Sequence, residues 1–239
     1  NFYYTSSIIN CIYDCEYCYL QGVYSSGNIV IFVDIEKVFE EVEELYNKLK
    51  SLYLCVSYDT DLLAIENICS FSEKWYHFIK DKKDLKIELR TKSANIDKFL
   101  NLDVLDNFII AFTLSPEDIA LKNEKYTASF KNRVKAIKEL QNKGWKVRIC
   151  IDPLIYTDDF EKNYSEMIEY LFSEIDKNKV IDVSIGVFRT SKEYLKKMRN
   201  QNKKSEILYY PFECIDGVYT YSDKLKSYMI DFILSLIHI

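Results

Sequence analysis

Phe108-Ile-Ile-Ala-Phe-Thr-Leu114 is an apolar stretch of strand length broken only by Thr113, with no alternating polar residues to make a solvent face. Such a stretch suits a strand covered on both faces, as in a parallel sheet with helices outside it. The segments around it repeat the theme. Upstream, Leu85-Lys-Ile-Glu-Leu-Arg-Thr91 alternates as a half-covered strand does. Downstream, a helical run over 129–143 stops at Gly144, a helix-ending residue, and Trp145-Lys-Val-Arg-Ile-Cys-Ile151 begins the next strand.

Further out, Asn28-Ile-Val-Ile-Phe-Val33 and Leu52-Tyr-Leu-Cys-Val-Ser57 read as strands, as does Phe2-Tyr3-Tyr4. Asp34 caps a predicted helix reaching Lys50, with Val38, Val42 and Leu45 on one face. Residues 62–80 and 160–177 read as further helices, and Val180–Phe188 as a strand. Strand and helix in alternation, about 30 residues per unit, predict an α/β open or partial barrel. Its site belongs at the C-terminal ends of the strands. After a helix over 191–200, Tyr209–Tyr221 reads as a hairpin turning at Asp216-Gly217, followed by a helix from Ser222 to about Leu236. The expected division is a core over residues 1–205, with the hairpin and helix of 206–239 packed on it in the same domain.

Composition narrows the classes. The formal charge of −5 opposes wholesale nucleic-acid binding but leaves room for a local basic stripe. No apolar run reaches the length of a membrane span, and no signal peptide leads the chain, so no membrane association and a cytoplasmic location are expected. The chain starts inside a strand and stops in an apolar run, which reads as a piece of a longer protein. The 7 cysteines are odd in number, and three are too crowded for a disulfide framework, which favours a reducing compartment.

Those three stand in Cys11-Ile-Tyr-Asp-Cys15-Glu-Tyr-Cys18-Tyr-Leu20. A closed zinc site needs a fourth Cys or His at related spacing, yet the histidines are only His77 and His238. A cubane [4Fe-4S] cluster takes one ligand per iron. Three thiolates therefore leave one iron open to a small molecule.

The CxxxCxxC spacing, with an aromatic beside the last cysteine, resembles the radical SAM superfamily, in which the open iron chelates S-adenosylmethionine. Cys18-Tyr-Leu-Gln21, Asp61-Leu-Leu-Ala-Ile-Glu66, the Thr91-Lys92 pair and the Tyr-rich C-terminal hairpin narrow the resemblance to spore photoproduct lyases. It covers most of residues 8–221. The implied fold is a partial (β/α)6 TIM-type barrel of the radical SAM kind with a C-terminal β-hairpin and helix. Members resembling this chain carry a further N-terminal stretch.

The resemblance implies a radical SAM lyase of DNA repair. One electron, from a donor such as flavodoxin or ferredoxin, cleaves S-adenosylmethionine to a 5′-deoxyadenosyl radical. That radical takes a hydrogen from a thymine dimer (spore photoproduct) in DNA. The methylene bridge then breaks, and a cysteine thiol, with two relaying tyrosines, returns a hydrogen.

Residue by residue, Cys11, Cys15 and Cys18 match the cluster ligands. Tyr17 matches the aromatic beside the adenine, and Tyr17 and Tyr19 both match the relay tyrosines. Thr60 and Asp61 would reach the methionine moiety, Lys92 its carboxylate, and Thr113, matching a serine, the ribose or methionine. The thiol donor sits three residues before the aspartate matching Asp61, and here that position is Tyr58. Tyr58 could itself deliver a hydrogen. Cys55 would face away from it by strand alternation, and Cys214 on the hairpin either reaches the substrate or simply packs beside Ile215.

Where the family hairpin has lesion-gripping arginines, this chain has Phe212, Glu213 and Asp216, and a carboxylate beside phosphate has the wrong sign. Arg189 to Lys204 holds seven basic residues and one acid. Lys192, Lys196, Arg199 and Lys203 share a helical face, as phosphate tracking or an ordinary solvated face would have it. The alternative reading keeps the family's radical chemistry and changes the substrate. An iron–sulfur electron carrier is a third, needing neither the barrel nor Lys92.

Overall fold

The computed structural model describes residues 1–237; His238 and Ile239 lie outside the described residues. One sheet holds six strands: β1 (Phe2–Tyr4), β2 (Leu52–Cys55), β3 (Leu85–Thr91), β4 (Phe108–Thr113), β5 (Val147–Leu154) and β6 (Val180–Val187). They lie side by side in chain order and every pairing is parallel. The sheet curls into a half-barrel. All residues of β4 are buried, as its uninterrupted apolar sequence requires at the middle of such a sheet.

Helices return the chain between strands, the longest being α1 (Ile35–Leu49), α2 (Phe71–Ile79), α3 (Phe130–Lys143) and α4 (Phe160–Glu174), with only the short Asp97–Asn101 between β3 and β4. α1 packs on β2, α2 on β3, and α3 beside α4. Ser129 starts α3 by accepting from the Asn132 amide, and Gly144 (φ 111°) ends it in the left-handed conformation that glycine adopts without strain. Trp145 is fully buried, its ring edge-on to Phe99 at 5.5 Å and its indole N–H given to the Phe99 carbonyl at 3.0 Å. A large buried aromatic thus keeps its one polar atom satisfied.

Three expectations differ. Within Asn28–Val33 only Val30–Ile31 forms a strand, and it pairs antiparallel with Ile8–Ile9, outside the main sheet. Val33 is 81% exposed, so the segment has no covered face to hold it there. Residues 62–80 are not one helix. A 3-10 turn (Leu62–Ile65) and a helical turn (Glu66–Cys69) end at Ser70 (φ 49°) before α2 starts. The buried Glu66 carboxylate accepts from the Ser72 and Glu73 amides at 3.0 and 3.3 Å, satisfying first-turn donors of α2 that a continuous helix would have paired. Finally, α4 ends at Glu174 rather than Lys177, because Ile175 is extended.

Past the sheet, β7 (Arg189–Ser191) precedes α5 (Lys192–Gln201). The hairpin is β8 (Glu213–Ile215) and β9 (Val218–Thr220), turning through Asp216 (φ 49°) and Gly217 (φ 79°). Two successive left-handed residues suit a tight hairpin turn. β9 also pairs with β7, so the hairpin is sewn to the strand leaving the half-barrel. α6 (Asp223–Leu236), capped by Ser222, packs on β6 and α4. Among the described residues no helix is long and apolar enough to cross a membrane.

Candidate active site

A cleft of about 480 Å³ opens at the C-terminal ends of the strands. Cys11, Cys15 and Cys18 line it from the loop after β1, and Tyr58, Thr60 and Asp61 from the segment after β2. Thr91 and Lys92 come from the end of β3, Thr113 from β4, Asp152 from β5 and Arg189 from just beyond β6. Every contribution falls where a strand hands over to its loop, since only there do side chains of successive parallel strands converge.

The cysteine loop is tied at both ends. Asp14–Cys15 pairs antiparallel with Glu124–Lys125, and the Gln21 amide donates to the Cys15 carbonyl at 2.8 Å. Behind Cys18 the short helix Leu20–Val23 presses on α5 through Gly22. A Cβ at Gly22 would stand 2.7 Å from the Tyr194 Cα, a backbone atom unable to yield. Gly22→Ala should therefore cost about 1–3 kcal/mol by overpacking, read as a lower urea midpoint, and displace the loop.

Burial pushes the Cys11 thiol up to about 12, helped by the nearby Asp61 charge, and raises Cys15 and Cys18 as well. Metal binding here must release thiol protons. Among the described residues no three Cys, His, Asp or Glu side chains converge as a single-ion site needs, while all three thiols share one cleft. Separate irons of one cluster, each taking one thiolate, suit that spread, so the residues present fit a [4Fe-4S] group.

Beneath the loop lies a charged network absent from the sequence reading. Glu124 is buried, and its carboxylate accepts from Arg133, from Ser115 at 2.8 Å, from Tyr17, and from Lys92 at 3.3 Å. Burial alone would raise this carboxyl. The Lys92 ammonium and Arg133 guanidinium overcome burial and hold it at about 2. A carboxyl depressed in the fold stabilises above its unfolded pKa and loses that contribution as pH falls through the folded value. Stability should therefore decline between about pH 4.5 and 2, measurable by urea unfolding across that range. Glu124→Gln should flatten that slope.

The network alters what was expected of Lys92 and Tyr17. Lys92 Nζ is engaged by Glu124 and by the Tyr17 hydroxyl at 3.0 Å, and lies 4.9 Å from the Tyr17 ring centre. An ammonium has three donors, so one remains. The Tyr17 phenol is committed to Glu124 and Lys92, whereas Tyr19 sits against Tyr58 with ring centres 5.7 Å apart. Tyr19 gives its hydroxyl to the Tyr58 carbonyl, and Tyr58, 42% exposed at the cleft, stacks on Tyr4 at 4.1 Å. Tyr58 is thus flanked by two tyrosine rings, Tyr4 and Tyr19, and of the two relay positions only Tyr19 touches it.

Asp61 is likewise occupied. Its carboxylate takes the Thr91 hydroxyl at 2.8 Å and the amides of Lys92 and Ala64 at 2.6 and 3.2 Å. It fastens the end of β3 to the loop after β2. Thr60 and Thr113 are buried against the cleft, and among the described residues neither hydroxyl has a protein partner. Cys55 is buried and Cys214 is exposed, and neither lines the cleft. On α5, Lys192 and Lys196 are exposed, whereas Lys203 lies past the end of the helix and so off the expected helical face, and Arg199 gives Nε to the Leu208 carbonyl at 2.7 Å and covers the Tyr209 ring.

A half-barrel of six parallel strands with a thiol triplet at its C-terminal rim defines a radical SAM partial barrel. More narrowly, the chain belongs to the spore photoproduct lyase family, whose family model matches residues 3–207. A curated spore photoproduct lyase of Geobacillus sp. (strain Y412MC61) is 21% identical over 185 residues, 75% of this chain and 53% of the relative. The chain thus spans about half the length of that relative. A spore photoproduct lyase variant solved with bound AdoMet and dinucleoside spore photoproduct superposes with a TM-score of 0.87 at 18% identity, covering 97% of this chain and 72% of that one. Streptococcus suis SuiB, solved bound to precursor peptide SuiA, gives 0.53 at 12% identity over 78% of this chain and 39% of its own.

Proposed function

We propose that this protein is a radical SAM lyase that holds a [4Fe-4S] cluster on Cys11, Cys15 and Cys18, binds S-adenosylmethionine, and repairs a thymine photoproduct in DNA. The observation that carries the reading is the thiol triplet opening on the same cleft as the unpartnered hydroxyls of Thr60 and Thr113. When bound, the cluster and cofactor supply reductive generation of a 5′-deoxyadenosyl radical, the electron arriving from a donor such as flavodoxin or ferredoxin.

The chain's own residues bind and orient. Thr60 and Thr113 offer hydroxyls to the ribose or methionine. The third donor of Lys92 takes the methionine carboxylate, and Asp61 holds the Lys92 backbone in place through its 2.6 Å hydrogen bond. Tyr17, packed against Lys92, presents its ring beside the adenine. Tyr19 and Tyr58 form the tyrosine pair at the substrate end, where Tyr58 would give its O–H hydrogen atom to the thymine radical, leaving a phenoxyl radical that one electron from the donor and one proton must restore.

A second reading keeps this chemistry and changes the substrate. It is favoured by Tyr58 standing at the thiol-donor position, with no fourth cysteine lining the cleft among the described residues. One experiment separates the two. Anaerobically reconstituted protein is given dithionite, S-adenosylmethionine and dinucleoside spore photoproduct. Repair predicts 5′-deoxyadenosine together with restored thymidine. Deoxyadenosine without thymidine selects the second reading, and absence of both products rejects the radical chemistry.

A further inference from the structure

At the ends of β3, β5 and β6 the cleft carries Arg90, Asp152 and Arg189, none of which the cluster or cofactor reading uses. Asp152 Oδ2 lies 3.7 Å from Arg90 Nη1, and Asp152 Oδ1 lies 3.8 Å from Arg189 Nη1. Both separations exceed a hydrogen bond. Among the described residues no donor reaches the Asp152 carboxylate, although its side chain is only 21% exposed. Arg90 gives Nε and Nη2 to Glu88 at 3.2 and 3.1 Å, which leaves Nη1 without an acceptor. Arg189 gives Nη1 to the Val187 carbonyl at 3.2 Å, which leaves Nε and Nη2.

The arrangement is built. A Cβ at residue 186 would stand 2.7 Å from Asp152 Oδ1, so Gly186 vacates the space that the carboxylate occupies. The result is a carboxylate acceptor ion-paired, beyond hydrogen-bond distance, with a guanidinium next to each of its oxygens, all facing one cleft and each with hydrogen-bonding capacity left.

We propose that Arg90, Asp152 and Arg189 recognise the imide edge of a thymine-type base. Its N–H would go to Asp152, and its two flanking carbonyls would go one to each arginine. The residues themselves select this chemistry. A phosphate or carboxylate offers acceptors only and would meet the Asp152 charge, while an ammonium offers donors only and would meet two guanidiniums. A donor between two acceptors satisfies all three side chains. Choosing a pyrimidine imide rests on the proposed function, since each ring of a thymine photoproduct carries that edge.

The test is calorimetric binding to the reconstituted holoprotein with S-adenosylmethionine present. Its ligands are dinucleoside spore photoproduct, 5,6-dihydrothymidine, the N3-methyl form of each, and an abasic dinucleotide with a phosphodiester. N3-methylation should weaken binding roughly 10- to 100-fold, the worth of one hydrogen bond to a charged group. Asp152→Ala should abolish that discrimination.

The same discrimination with dihydrothymidine, alongside no binding of the photoproduct, would support the imide site and reject the repair reading. Photoproduct bound equally with and without N3-methylation would overturn the imide site and leave repair standing. Tighter binding of the abasic dinucleotide by Asp152→Ala than by the native chain would overturn it in favour of a phosphate grip. Failure of every ligand to bind would overturn it too. The methylation comparison uses the unaltered chain, so it stands whether or not the variant folds.

Discussion

Glu124→Ala lowers the stability of this protein by about 3–5 kcal/mol, the usual cost of removing one partner from a buried ion pair. Arg133 is completely buried and has lost its counter-charge in that variant, with Lys92 stranded beside it. Returning two cations to water requires opening the floor of the site. Burying them unpaired is worse, because desolvation then has no Coulombic return. Ser115 and Tyr17 lose an acceptor as well. Urea unfolding of the cluster-free chain measures the loss directly. The double variant Glu124→Leu with Arg133→Met should recover the part due to Arg133, with Lys92 still unpaired, since replacing a buried pair by apolar groups of similar size is often close to neutral. A loss below about 1 kcal/mol in the single variant would mean that the pair is hydrated and contributes little.

On the proposed function, Cys15→Ala should abolish cluster assembly and reduce S-adenosylmethionine cleavage to background. The thiol is buried and lines the cleft from the two-residue ladder that anchors the loop. Without it, the proposed cluster would have one iron lacking a protein ligand and only two thiolates to hold it. Replacing a small buried thiol by a methyl changes packing little, so the apo fold should unfold at nearly the native urea midpoint. Cys69→Ala is the matched control. It deletes the same group at a position away from the cleft and should leave iron content and deoxyadenosine formation at native levels. Iron and sulfide analysis with the cleavage assay reads both variants. Full cluster content in Cys15→Ala would remove that residue from the ligand set.

The expected acid response follows from the same network. Glu124 is the group whose depressed carboxyl ties stability to pH, and Lys92 stays charged because Glu124 faces it despite the cost of burial. Loss of the native state on acidification should therefore begin at the floor of the cysteine loop and carry the loop with it.

Much of the architecture was legible because it is written in short-range pattern. The apolar run 108–114, the alternation over 85–91 and the Ser129-to-Gly144 helix all mark local choices between helix and strand, and each corresponds to an observed element. The segment 28–33 is apolar without being covered, so only two of its residues form a strand. Phe2–Tyr4 joins the main sheet as its pattern predicts, and Val30–Ile31 pairs outside it. The break at Ser70 was hidden because its partner is the Glu66 carboxylate, and a side chain closing a helix start leaves no periodicity behind.

Spacing alone put three thiols on one loop with no fourth, because ligands within eight residues cannot stray far from one another. What Lys92, Asp61 and Tyr17 touch was settled by folding. Glu124 and Arg133 are distant from them along the chain and carry no motif, yet the half-barrel delivers them beneath the loop. Arg90, Asp152 and Arg189 meet for the same reason, each at the end of a different strand. Local sequence sets backbone preference and which residues share a face. Which charges end up facing each other depends on sheet curvature and strand order, and these exist only once the whole core has closed.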